Sequence, residues 1–282
     1  MSLKVFCSLV LSVLALSACS NSKSLTTTIK PSDSTSIING DLVTATDLYA
    51  KHTVALGPAK GGESVCTGVI IAPHYILSAG HCAAGIKKGL IYFGLVATAK
   101  NVITYKIKNV TLHPRYCPSC MMNEGMMTDA NDLSIVEFEK DLPEGYAPVE
   151  LSSFDQVQSD TEVYLAGYGA DEKQKYDVLK VTHVAVKQIS DTEFKTSELK
   201  SGSCDGDSGG PAFIQLEDKL LLAGITSRGD EACRKHGIYT IPVAHSEWIA
   251  ETTFELPKED DDSKDKSMVA QVPAPVEEPT AE

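Results

Sequence analysis

An all-β fold, sandwich or barrel, is what this sequence predicts, and three observations carry the prediction. Short apolar runs recur from Tyr49 to Val186: Val65–Leu77, Leu90–Val96, Val102–Leu112, Leu133–Phe138, Val163–Leu165 and Val178–Val186. Gly, Pro, Asn and Asp separate them, and these residues favour turns over continued strand. Helical stretches are few. The clearest is Val243 to Ala250, where Ile241, Ala244, Trp248 and Ile249 suit one helical face. Finally, 282 residues fit one large or two small domains, long enough to bury a sizeable core.

Charge and cysteines narrow the function classes. The net charge of −13 argues against a nucleic-acid partner. Residues 256–282 carry three Lys and eight Asp/Glu, so part of that acidity lies in a Pro/Ala/Glu-rich tail that cannot form a core. Solubility explains the rest of the charge better than an acidic binding role does. Eight cysteines divide by context. Cys7 and Cys19 fall in the N-terminal segment, and an even set of six remains: Cys66, Cys82, Cys117, Cys120, Cys204 and Cys233. An even set in an exported chain reads as disulfides, although six cysteines allow 15 pairings and spacing alone does not choose among them.

Export is read from residues 1–18. Lys4 supplies a positive start, Val5 to Leu16 an apolar core too short to span a bilayer, and Leu16-Ser17-Ala18-Cys19 the end. The small residues before Cys19 resemble a bacterial lipobox, whose cysteine is lipidated and becomes the new N-terminus. An ordinary signal cut nearby is the alternative. Residues 19–36 are Ser/Thr-rich and read as a flexible tether or propeptide ahead of a domain at 37–255.

The stretch Gly206-Asp207-Ser208-Gly209-Gly210-Pro211 carries the chemistry. A serine hydroxyl attacks only when a base takes its proton and fixed donors meet the oxyanion that forms. Glycines flanking Ser208 permit a bent backbone and can aim the N–H groups of Gly206 and Ser208 at one point. Ser78-Ala79-Gly80-His81-Cys82 offers a base, and Asp129-Ala130-Asn131-Asp132-Leu133 an acid to orient it. Together these three stretches resemble the chymotrypsin/trypsin family of serine proteases, in that family's order His81, Asp132, Ser208. The resemblance covers about residues 37–250.

The resemblance implies two antiparallel six-stranded barrels with a short C-terminal helix. His81 and Asp132 would come from the first barrel and Ser208 from the second. It implies Cys66–Cys82 and Cys204–Cys233 disulfides, leaving Cys117 and Cys120 to pair locally. A redox or zinc role for Cys117-Pro118-Ser119-Cys120 is the alternative. Ile37-Ile38-Asn39-Gly40 resembles an activation site, where proteolysis frees an Ile37 amine to pair with Asp207. Ser36 precedes the cut, so the activating protease would not be trypsin-like. Cleavage there would also part the domain from a lipid on Cys19, releasing a periplasmic or outer-membrane lipoprotein's catalytic domain. No cofactor or metal is expected, and a monomer is. The membrane would be a partner only through that lipid, before activation.

For the primary specificity pocket, the floor position is Gly202, with Ser203 beside it and Gly229 and Gly237 on the walls. Three glycines around an uncharged base imply a preference for Phe, Tyr, Leu or Met before the cut. Asp205, Asp230 and Glu231 at the rim keep Lys/Arg as the alternative. Ser227 and Gly229 would pair their backbone with an extended substrate, and Ser78 and Ser227 match positions whose hydroxyls satisfy the buried aspartate. Arg228 stands where the family has tryptophan, either facing upstream substrate residues or solvated. Tyr168 in Ala166-Gly167-Tyr168-Gly169 likewise replaces a tryptophan. The rivals are a catalytically silent binding lipoprotein on the same fold, and an esterase, for which the histidine should follow the serine.

Overall fold

The computed structural model describes residues 37–58, 65–122 and 125–253. The signal segment, Cys19, the tether and the acidic tail lie outside the described residues.

Val, Ile, Leu and Tyr alternate with small or polar residues in the C-terminal half, and there the chain closes a barrel. Six antiparallel strands follow one another around it: Glu162–Gly167, Lys180–Ile189, Glu193–Ser197, Gly237–Thr240, Lys219–Gly229 and Pro211–Leu216, the last pairing back to the first. Closure leaves none of the six with a free edge. Asp41–Leu42 and Glu150–Leu151 add short outer pairings.

The N-terminal half forms a curled seven-stranded antiparallel sheet. Its order is Ile103–Lys106, Leu90–Phe93, Thr53–Gly57, Cys66–Ala72, Tyr75–Ser78, Ser134–Glu137 and Asn109–Leu112. The two edge strands are consecutive in the chain. Ile107 N–H bonds Gly89 O at 3.2 Å and Lys108 N–H bonds Glu137 O at 2.8 Å, so this one bent segment reaches both ends of the curl. The predicted run Val102–Leu112 is thus broken at Ile107 and Lys108. Mostly-β architecture, a closed six-strand barrel and a short final helix bear out the predicted fold class.

Three apolar clusters hold these layers. One lies within the first sheet (Leu56, Ile70, Ile76, Phe93, Phe138) and one within the barrel (Val163, Leu165, Val186, Phe194, Tyr239). The third joins them through Val69, Leu77, Tyr168, Phe213 and Leu222. Tyr168 is wholly buried, and its hydroxyl donates to Gly94 O at 2.7 Å across the seam. A tyrosine serves here because the site offers a carbonyl to its O–H. The final helix, Ser246–Thr253, starts three residues later than the sequence pattern implies. Ile241 and Ala244 precede it, and Trp248 packs on His113 beside the first sheet with ring centroids 4.7 Å apart. Among the described residues no helix is long and apolar enough to cross a membrane.

Candidate active site

The edges of the two sheets meet at Thr67. Its N–H donates to Ser208 O (2.8 Å), and its hydroxyl donates to Gly206 O (2.9 Å). The Cys66–Cys82 disulfide then ties the residue before Thr67 to the residue after His81, with Cα atoms 6.3 Å apart. A short covalent and hydrogen-bonded path therefore fixes the His81 turn against the Ser208 turn.

His81 sits in a single 3₁₀ turn, Gly80–Cys82, following the strand Tyr75–Ser78. Its ring Nδ1 is 2.8 Å from Asp132 Oδ2, and its backbone N–H donates to Asp132 Oδ1 at 2.8 Å. Asp132 is fully buried, and Ser227 Oγ donates to its Oδ2 at 2.7 Å. With Nδ1–H donated to the carboxylate, Nε2 is left as the basic nitrogen. Ser78 does not share this task, as its hydroxyl turns to Thr67 O at 2.9 Å. Ser208 is half-buried and lines the adjoining cleft. Among the described residues no hydrogen bond joins Ser208 to His81, and such contacts often tighten only when substrate is bound.

Around Ser208 the backbone needs glycine. Gly206 has φ +91° and Gly209 φ +79°, and a Cβ on Gly209 would collide with Ser78 Oγ. Asp207 between them is buried. Its oxygens accept the N–H of Gly169 (2.8 Å) and of Cys204 (2.9 Å), and neither donor is a cation. Burial pushes its carboxyl up to about 7, against those two bonds. Ile37 is also wholly buried, within the barrel cluster, while Ile38 bridges Gly202.

The cleft beside Ser208 measures about 210 Å³. It is lined by Ser203, the Cys204–Cys233 disulfide, Ser227, Arg228 and Gly229. The glycines expected to leave an uncharged floor are backed by a buried carboxylate. A Cβ on Gly202 would collide with Glu198 Oε2, and one on Gly237 with Glu198 Oε1. The two glycines thus make room for a carboxylate delivered from just beyond the strand Glu193–Ser197. Glu198 is buried, and Tyr239 OH (2.6 Å), Thr196 Oγ1 (2.7 Å) and Ser203 N–H (2.9 Å) donate to it. Burial still pushes its carboxyl upward, against these bonds. Asp205, Asp230 and Glu231 also line the cleft. Burial would raise the Asp230 carboxyl, but the N–H groups of His236, Lys235 and Arg234 outweigh that and hold it below the usual range.

Arg228 lines the cleft but is not the solvated arginine of the alternative reading. Its side chain is 8% exposed and forms a two-pronged ion pair with Glu193, itself wholly buried, at 2.8 and 2.9 Å. Cys117 and Cys120 form a disulfide, the local pairing expected, and the bonded sulfurs are not the free thiolates a zinc site needs. Cys66, His81 and Cys82 lie close enough to suggest a metal cluster, but the two sulfurs are bonded to each other. Sequence reasoning missed Glu198 and Glu193. No motif marks them, and Glu198 fits behind Gly202 and Gly237 only because neither carries a Cβ.

A buried Asp–His pair, a serine on a glycine turn and a cleft beside it, set between two β layers, define a hydrolase of the serine-protease class. Comparison with known proteins agrees. The Trypsin family model matches residues 37–249, and the chain belongs to that family. It is 30% identical over 209 residues to a trypsin of Saccharopolyspora erythraea, covering 66% of this chain and 86% of that one. It is 25% identical over 229 residues to the CLIP domain-containing serine protease B4 of Anopheles gambiae. That match covers 67% of this chain and 62% of the mosquito protein. The chain therefore carries a trypsin-like serine protease domain, and protein substrates follow from the family.

Proposed function

We propose that this chain is a serine endopeptidase acting through an acyl-enzyme, with Ser208 as nucleophile, His81 as general base and Asp132 holding the His81 tautomer. The observation that carries the proposal is the buried Asp132 carboxylate, which accepts from His81 Nδ1, His81 N–H and Ser227 Oγ at 2.7–2.8 Å. Nε2 takes the Ser208 proton as the hydroxyl oxygen attacks the carbonyl carbon, and returns it to the leaving amine. The N–H groups of Gly206 and Ser208 receive the oxyanion, a role supported by the positive φ of Gly206. Water then releases the acyl group by the same steps in reverse.

The chain is made as a zymogen in this reading. Asp207 lacks a cation, and a free Ile37 amine is the partner it is built to receive after cleavage behind Ser36. The lipid on Cys19 would hold the uncleaved form at a membrane, and cleavage would release the domain.

At the residue before the cut, Glu198 favours Lys or Arg over the large apolar side chains that an uncharged floor would take. A buried carboxylate satisfied only by neutral donors has charge left for a cation, and an apolar side chain would leave it desolvated. The test is cleavage of a mixed peptide library by protein beginning at Ile37, with Ser208→Ala and Glu198→Gln beside it. Cuts after Lys or Arg that vanish in Ser208→Ala, and fall at least about tenfold relative to apolar sites in Glu198→Gln, match the proposal. Cuts after Phe, Tyr, Leu or Met would keep the triad and reject the charged floor. No cutting by a folded, Ile37-initiated protein would favour the silent binding protein.

A further inference from the structure

We infer that Glu193 and Arg228 form a latch between the two β layers that positions Asp132, making both of them positioning residues for the reaction. The inference rests on the catalytic reading of Asp132 and His81 given above.

The segment that delivers Asp132 belongs to the first sheet, yet its last turns are fastened to the second. Glu193, the first residue of a barrel strand, accepts Thr128 N–H at 2.8 Å and Ala130 N–H at 3.3 Å. Its neighbour Thr192 donates to Asp129 Oδ1 at 2.5 Å. Asp129 and Asn131 both hold φ near +50°, a conformation that surrounding contacts must maintain in residues with side chains. Asp132 follows directly.

Arg228 closes the latch from a second barrel strand. Besides Glu193, its Nη2 donates to Met126 O (2.8 Å) and Thr128 Oγ1 (3.0 Å). Its Nη1 donates to Ser227 Oγ at 3.2 Å, and that hydroxyl donates its own proton to Asp132. A bond accepted from a guanidinium makes the hydroxyl a better donor. The run Glu193–Arg228–Ser227–Asp132–His81 is thus continuous, and it crosses the seam between the layers. A planar fork suits this place because it reaches a carboxylate, a carbonyl and a hydroxyl at once. The other titratable group near Asp132 is Tyr116, on the same loop, whose hydroxyl is raised by burial and then by the Asp132 charge.

The latch has an electrical side that plain scaffolding lacks, since Glu193 neutralises a cation two hydrogen bonds from the Asp132 carboxylate. Glu193→Gln leaves that cation uncompensated, which disfavours a protonated imidazole at His81. The experiment is an NMR titration of the His81 ring carbon in the full chain carrying Ser208→Ala, with and without Glu193→Gln. It reads the latch whether or not the protein is an active protease. The expected result is a midpoint at lower pH in Glu193→Gln, by about half a pH unit or more. An unchanged or raised midpoint overturns the inference. Arg228→Lys carries the test should Glu193→Gln not fold, because it keeps the charge and loses the fork. With Ser208 present and the chain starting at Ile37, its kcat should fall at least about fivefold with KM kept. A wild-type kcat would overturn the positioning role.

Discussion

Asp132 and Asp207 are the same residue type at almost the same depth, 0% and 1% exposed, and their partners differ. Asp132 meets the imidazole of His81, a backbone N–H, and a hydroxyl backed by a guanidinium. Among the described residues Asp207 meets two backbone N–H groups and no cation, and burial raises its carboxyl to about 7. Burial penalises a carboxylate charge at either place, so the partners decide how much of that penalty is offset. An acid that orients a base has to stay ionised. One that waits for an ammonium can stay protonated until the ammonium arrives.

The largest effect expected from this contrast is at Asp132. Asp132→Asn keeps the shape but leaves His81 in the wrong tautomer, and kcat should fall about 10⁴-fold. Steady-state kinetics on the chain beginning at Ile37 would check it, and a loss under tenfold would undo the distinction between the two aspartates.

Asp207 gives the next effect, through stability. Its folded-state carboxyl lies near 7 and its ordinary value is 3.8. The folded chain therefore binds more protons than the unfolded chain between those values. Stability from this group is complete below about pH 4 and is lost as pH rises towards about 7, by up to about 4 kcal/mol. A chain with a free Ile37 amine should lack most of that loss. Denaturant melts of the Ser208→Ala protein at pH 4.5 and 7, cleaved and uncleaved, compare the two, and an identical pH trend would count against the activation pairing.

A smaller change is expected at the seam. Tyr168→Phe removes the hydroxyl bond to Gly94 O and should cost about 1–2 kcal/mol by urea unfolding, with kcat unaltered. A lowered kcat would mean that the seam, and with it both aspartates, is less rigid than the packing implies.

Much of this was legible in the sequence. The motifs around Ser208, His81 and Asp132 stand out because each needs fixed neighbours, and the family resemblance they carry anticipated all three disulfides. Glu198 was not legible, since its importance depends on two glycines 4 and 39 residues away that vacate the space it fills. Arg228 was visible, but its buried ion pair was not. Its partner Glu193 sits 35 residues earlier, and only the pairing of strands in the barrel brings them together. Local motifs report chemistry that local backbone must support, whereas buried charge pairs are products of topology.

The account turns on Ser208 being an activated nucleophile. The most direct test treats protein beginning at Ile37 with a fluorophosphonate, which phosphonylates an activated serine with loss of fluoride, and maps the adduct by mass spectrometry. Stoichiometric labelling on Ser208, abolished by His81→Ala, is the predicted result. A folded protein that takes up no label, or takes it elsewhere, would contradict the account.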